Sequence, residues 1–195
     1  MKERQVNAML IIKNCNLINM AGIYKEKKDL VVKDGKVLDI CDDACQKYGQ
    51  GNVIIDACGN YVTPGIVEPH CSLGVKEEVF RFEGNDADET TDPIVPQVRA
   101  MDAINPRDEG FKMALAGGVT TAVTCPGNAN PIGGTCAAIK TTGNTVEEMV
   151  MVPEIAIKMC LTDGVKNTYV GKRSPMTRLG GSPDPRGSDE GETLS

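Results

Sequence analysis

The sequence predicts an α/β protein in which a small N-terminal β-sheet precedes a region of alternating strands and helices. Two observations support this fold class. Residues 1–62 contain short β-branched or alternating runs separated by turn residues. After Pro64, apolar strand-like runs alternate with helix-like segments, a pattern typical of a mainly parallel sheet with right-handed crossovers. A chain of 195 residues is long enough for one domain with a small appendage.

Composition excludes several classes of function. The net charge is −6, with 27 acidic and 21 basic residues, and the basic residues form no dense cluster, so we expect no nucleic-acid partner. The apolar run at residues 9–12 is too short for a signal peptide or a membrane span. Eight cysteines without a secretion signal are typical of reduced, buried thiols. We therefore expect a cytoplasmic protein that does not bind membranes.

The first part, residues 1–62, is predicted to be a mostly antiparallel sheet. Asp34-Gly35 indicates a two-residue hairpin turn, because glycine tolerates the positive φ that such turns require. A sheet of this size is marginally stable by itself, so it should pack against other structure. The predicted strands cover residues 10–18, 29–33, 36–40 and 53–57.

The second part, residues 63–179, is predicted to alternate strands with helices. A helix should begin at Asn105-Pro106, a favourable cap and first-turn residue, and end at Gly117-Gly118. Thr145 and Glu148 have the spacing of a capping box, which predicts another short helix. Strands are expected over residues 65–70, 119–124, 136–140 and 155–161, with a long acidic loop containing short helical pieces over 73–104. The polar residues 180–195 should be disordered.

His70 is the single histidine of the chain and lies at the end of the predicted strand 65–70. Active sites of parallel α/β folds collect at the C-terminal ends of strands, and imidazole is a common metal ligand. A hydrogen-bonded structural histidine is the alternative interpretation. Ser72 would share a strand face with His70, whereas Cys71 would point to the opposite face. The sequence names no third group that would complete a nucleophilic triad.

Three segments carry a resemblance to a known family. They are the Asp34-Gly35-Lys36 hairpin, the run VTPGIVEPHCSLG from Val62 to Gly74, and the run GGVTT over residues 117–121. With them, residues 10–180 resemble the N-terminal portion of the amidohydrolase superfamily, in particular its imidazolonepropionase-like and dihydroorotase-like members. The resemblance implies that the N-terminal sheet precedes the first half of a (β/α)₈ TIM-like barrel. It also implies metal-dependent hydrolysis of a C–N bond in a small cyclic amide.

The resemblance assigns candidate metal ligands. The family's first barrel strand usually ends in His-x-His, and both histidines bind a divalent metal, zinc being the commonest expectation. The first falls on His70 and the second on Ser72, and the family's usual Asp, two residues before the first histidine, falls on Glu68. A carboxylated lysine on the fourth barrel strand bridges two metals in many members, and Lys158 matches it. A surface lysine with a buried stem is the alternative for Lys158.

The resemblance also implies an incomplete enzyme. A full (β/α)₈ barrel takes about 250 residues, and this chain has room for about four of its strands. The family's catalytic Asp lies beyond that point, so the sequence supplies no catalytic base and no substrate-binding residue that we can name. We expect a truncated member with negligible hydrolase activity. The alternative is a non-catalytic fragment, or a subunit that completes its barrel as a homo-oligomer or with a missing C-terminal half.

Overall fold

The computed structural model describes residues 8–19, 22–23, 27–49, 51–80 and 82–169. The chain divides into two compact units, Met1–Pro64 and Gly65–Ser195. The unit boundary lies two residues after the boundary that we placed between residues 62 and 63. The tail for which we predict disorder, residues 180–195, lies outside the described residues.

The N-terminal unit is built around one long strand. Its elements are β1 (Leu10–Asn19), β2 (Gly22–Ile23), β3 (Lys28–Lys33), β4 (Lys36–Cys41), α1 (Ala44–Tyr48), β5 (Val53–Asp56) and β6 (Tyr61–Val62). Strand β1 pairs antiparallel with β2 and β3 and parallel with β5 and β6, while β4 pairs antiparallel with β3. The four strands predicted here are therefore present, each within one residue of its expected ends.

A hairpin turn and a buried carboxylate organise this unit. Asp34 and Gly35 both have positive φ, 50° and 73°, as a two-residue hairpin turn requires. Asp29 is buried, and its two carboxylate oxygens accept hydrogen bonds from the backbone N–H groups of Asn14 and Ala44, each at 3.0 Å. The carboxylate thus joins β1, β3 and the start of α1, and its burial is compensated by these bonds.

The second unit is a four-stranded sheet with helices between its strands. The strand order is β10-β9-β8-β7. Its elements are β7 (Ile66–Cys71), α2 (Glu109–Ala116), β8 (Val119–Thr124), β9 (Ile132–Lys140), α3 (Val146–Met149), β10 (Val150–Met159) and α4 (Asp163–Tyr169), with a short 3₁₀ helix at Ala100–Asp102. Helix α2 and the loop before it cover one sheet face, where Phe111, Ala122 and Ile139 are buried together.

The expectation of a mainly parallel sheet is wrong. Only β7 and β8 are parallel; β8 pairs antiparallel with β9, and β9 pairs antiparallel with β10. The reason is the length of the connections. Residues 125–131 contain no helix, and residues 141–149 contain only the four-residue α3. A parallel return needs a crossover of a dozen or more residues, so these short segments reverse the chain direction instead.

The predicted start of α2 is also wrong. The Asn105 side chain accepts a hydrogen bond from the Arg107 N–H at 3.0 Å, which forms a local turn rather than a helix cap. The helix begins at Glu109, and Asp108 caps it by accepting from Gly110 N–H at 3.2 Å. Its end at Gly117-Gly118 is confirmed, as is the Thr145 cap, which accepts from Glu148 N–H at 3.3 Å.

The acidic loop over residues 73–104 is tied to the sheet by a buried amide. Asn130 is 2% exposed and donates to the carbonyls of Glu89 and Asp92 at 2.7 and 2.8 Å. The same amide nitrogen lies 2.7 Å from the hydroxyl of Tyr169, and that hydroxyl donates to the Asp92 carbonyl. These bonds join the loop, the β8–β9 connection and α4 near the C-terminal ends of β8 and β10.

In the part of the chain that the structure describes, no helix has the length and apolar character needed to cross a bilayer.

Candidate functional site

His70 and Lys158 meet although they lie on the two outermost strands of the sheet. His70 Nε2 is 2.5 Å from Lys158 Nζ, while β7 and β10 are separated by β8 and β9. Neighbouring strands are about 4.8 Å apart, so in a flat sheet the outer strands would be separated by roughly 14 Å. The contact therefore requires the sheet to curl, as a barrel wall does.

The stem of Lys158 packs beside the glycines of β9. Gly134 pairs with Lys158 in the antiparallel register, and a Cβ on Gly133 would be 3.6 Å from Lys158 Cγ. That distance is an ordinary van der Waals contact, so the lysine stem lies against β9 beside Gly133.

The contact defines which atoms donate and accept. A lysine ammonium carries only donors, so Nε2 must be the acceptor if Lys158 is charged, with the ring proton on Nδ1. The His70 backbone N–H donates to Glu68 Oε1 at 3.1 Å. The Glu68 carboxylate therefore binds the backbone of β7, and this hydrogen bond fixes the end of the strand that carries His70.

Ser72, the position of the family's second histidine, lies just after β7. Its carbonyl accepts from the N–H groups of Val75 and Lys76 at 3.2 and 2.9 Å. Ser72 and Lys76 line two adjacent clefts of about 580 and 280 Å³. Cys71 also borders the larger cleft, while its Sγ is 3.6 Å from the Val123 carbonyl and it packs against the helix-covered core.

The smaller cleft contains a carboxylate that the sequence did not single out. Asp88 Oδ1 accepts from the Ala129 N–H at 2.9 Å. A Cβ on Gly127 would lie 2.2 Å from the same oxygen, so only glycine permits this approach. The signal in the sequence was weak, since a Pro-Gly pair is common in any turn.

Two thiols form a second feature that sequence reasoning treated only as apolar packing. Cys125 and Cys136 are each 2% exposed, and all eight cysteines are free thiols. Burial, followed by the hydrogen bond with the Cys136 thiol, raises the pKa of the Cys125 thiol to about 12, while the charge of Lys158 acts in the opposite direction. Lys158 is thus near both His70 and this thiol pair.

The described residues bring two nitrogen donors together. His70 and Lys158 offer two nitrogen donors in contact, and the sequence places Ser72 where a second imidazole would stand. Among the described residues, no three His, Cys, Asp or Glu side chains lie close enough together to hold a metal ion. Because zinc sites use at least three protein ligands, these residues fit only a partial coordination sphere.

Known proteins are similar to this chain in fold and in sequence. An amidohydrolase from Thermotoga maritima superposes with a TM-score of 0.79 at 32% identity, over 88% of this chain and 44% of that protein. An amidohydrolase of Hapsidospora irregularis is 31% identical over 169 residues, covering 80% of this chain and 17% of the relative. A dihydroorotase of Clostridioides difficile is 33% identical over 125 residues, covering 64% and 23%. No family model matches the chain.

The chain thus spans less than half the length of each of these relatives. The α/β fold class predicted from the sequence, a small N-terminal β-sheet followed by part of a barrel-like sheet, is confirmed by the structural match. The chain belongs to the amidohydrolase superfamily and corresponds to its N-terminal portion.

Proposed function

We propose that the chain supplies one part of an amidohydrolase active site that hydrolyses a C–N bond in a small cyclic amide. The observation that carries the proposal is the 2.5 Å contact between His70 Nε2 and Lys158 Nζ. It joins two family ligand positions that lie far apart in the sequence. The relative named dihydroorotase supports a cyclic amide as substrate class. The free state of all eight thiols fits a cytoplasmic location.

In this proposal His70 and Lys158 are ligands of a divalent ion, with zinc the expected metal. An ion in such a site polarises the amide carbonyl and lowers the pKa of a bound water. The protein orients the two ligands: Glu68 holds the strand end that carries the imidazole, and the lysine stem packs beside Gly133 of β9. Lys158 must lose its proton, or be carboxylated, before it can bind the ion.

The isolated chain is proposed to be catalytically incomplete. The serine hydroxyl at position 72 is a poor zinc ligand compared with imidazole, and among the described residues no three His, Cys, Asp or Glu side chains lie close enough together to hold a metal ion. Purified chain with added zinc should therefore open the rings of dihydroorotate and hydantoin no faster than zinc in buffer. The His70→Ala variant is the matched control. Zinc-dependent turnover that this variant lacks would contradict the proposed incompleteness.

A second candidate function is that of a subunit that completes its barrel with a partner chain. The two edge strands of the sheet, β7 and β10, favour this candidate. Among the described residues, β7 and β10 each pair with one neighbour in the sheet, and both expose large apolar side chains, including Val67 at 59% and Ile157 at 59%. Unpaired, apolar strand edges promote association. The proposed partner is a second copy of this chain or a chain that carries the rest of the barrel.

The mass of the untagged chain in solution tests this second candidate. We expect a dimer or larger species at micromolar concentration, shifted towards monomer by Ile157→Lys on the β10 edge. Met113→Lys is the control, because Met113 is similarly exposed, at 63%, but lies on α2. A monomer at every concentration tested would eliminate self-association and leave only a different partner chain.

A further inference from the structure

Cys125 and Cys136 lie opposite each other on neighbouring antiparallel strands. The β8–β9 register pairs Val123 with Ala138 and Thr124 with Ala137. Continuing that register by one residue places Cys125 opposite Cys136. Directly opposite residues of an antiparallel pair have Cα atoms about 4.5–5.5 Å apart, which lies within the range that a disulfide spans.

The thiols are in contact and sealed from other partners. The Cys136 thiol is close enough to raise the pKa of the Cys125 thiol, and the Cys125 Sγ is 3.7 Å from the Val123 carbonyl. Each residue is 2% exposed. A thiol on another protein cannot reach either sulfur without local opening, so the nearest reaction partner of each thiol is the other.

The pair lies on the sheet face that carries the lysine of the candidate site. In the β9–β10 register, Cys136 is opposite Ala156 and Gly134 is opposite Lys158. Residues two apart on a strand share a face, so Cys136 and Lys158 extend from the same side of the sheet. A covalent change at the thiols therefore acts directly beside the His70–Lys158 contact.

We propose that Cys125 and Cys136 are a modification site: a dithiol that hydroperoxides convert to a cross-strand disulfide. One thiolate attacks the peroxide O–O bond, which gives a sulfenic acid and releases an alcohol or water. The second thiol then attacks the sulfenic sulfur, forming the S–S bond and releasing water. In total, two thiols lose two hydrogens, and one hydroperoxide is reduced to an alcohol and water.

The disulfide would fasten the end of β8 to β9. It would replace the contact between the two thiols by a bond of about 2.05 Å, so both strand ends must move together slightly. We infer that this movement alters the environment of Lys158 and, through it, of His70. This inference is independent of hydrolase activity, because it concerns the thiols and the imidazole alone.

Peptide mapping tests the linkage directly. The sequence has no Lys or Arg between residues 113 and 139, so trypsin releases both cysteines in the single peptide 113–140. The native chain is held with hydrogen peroxide, then denatured and alkylated. We expect most of this peptide to lose two hydrogens and to take up no alkyl group. Because burial and a raised pKa slow the first step, prolonged exposure is required.

The exposed Cys58 is the internal control for oxidant exposure. The proposal is overturned if Cys58 is oxidised while peptide 113–140 keeps both thiols, or if Cys125 becomes linked to Cys71 instead. A second readout is the imidazole NMR signal of the single histidine. It should shift on oxidation of the wild type and stay unchanged in a folded Cys136→Ser variant. An equal shift in both would also contradict the proposal.

Discussion

Replacing Gly134 by alanine is expected to destabilise the second unit by about 3 kcal/mol or more. Gly134 has φ of +99°, and a Cβ there would lie 2.1 Å from the carbonyl oxygen of Val98. The backbone conformation alone costs roughly 1–2 kcal/mol for an L-residue, and the clash with a backbone atom adds about 1–3 kcal/mol. Gly134 precedes Thr135, which forms an isolated β-bridge with Arg99 and so joins the preceding loop to β9.

Urea unfolding of the Gly134→Ala and Gly133→Ala variants measures this effect. Gly133→Ala is the matched control, since the nearest atoms to its added Cβ lie at 3.6 Å, an ordinary contact. We expect a strong loss of stability for Gly134→Ala and little change for Gly133→Ala. Equal stability of the two variants would show that the loop does not approach β9 as described.

Replacing Ser72 by histidine is expected to raise the zinc affinity of the chain at least about tenfold. The substitution returns an imidazole to the family's second ligand position, two residues after His70 and just past the end of β7. Loss of groups that merely support metal ligands already costs about 10–100-fold in affinity, so gain of a ligand should have an effect no smaller. Ser72 lines two clefts, which leave space for a larger side chain.

Calorimetric zinc titration of paired variants separates this gain from binding to thiols. Ser72→Ala should bind zinc as the wild type does, whereas Ser72→His should bind more tightly. The gain must disappear when His70→Ala is added to Ser72→His, because both imidazoles form the site. A gain that persists in the double variant would show that position 72 does not share a site with His70.

Local signals in the sequence predicted most of the elements. The Asp34-Gly35 turn fixes a hairpin because it needs positive φ, and the β-branched run over residues 119–124 has no competing helical preference. Both are determined by neighbouring residues alone. The predicted start of α2 was wrong because local signals did not decide it. Asn105 and Asp108 are both good caps, and the choice between them depends on what each side chain contacts in the folded chain.

Strand direction and the assembly of the site depend on contacts between residues that are distant in the sequence. The antiparallel course of β9 follows from connection lengths that only the observed strand ends reveal. The sequence named His70 and Lys158 by resemblance, but their contact depends on the curl of the sheet. Cys125 and Cys136 looked like separate apolar residues, because only the β8–β9 register places them opposite each other.

The central claim is that His70 and Lys158 together form part of a metal site, and the imidazole signal of the single histidine tests it most directly. Total metal content is less decisive, since eight free thiols also bind zinc. We expect zinc to shift the ¹⁵N resonance of His70 Nε2, with affinity clearly weakened in Lys158→Met. An imidazole signal that stays unchanged while zinc binds elsewhere, or an unaltered affinity in Lys158→Met, would contradict this account.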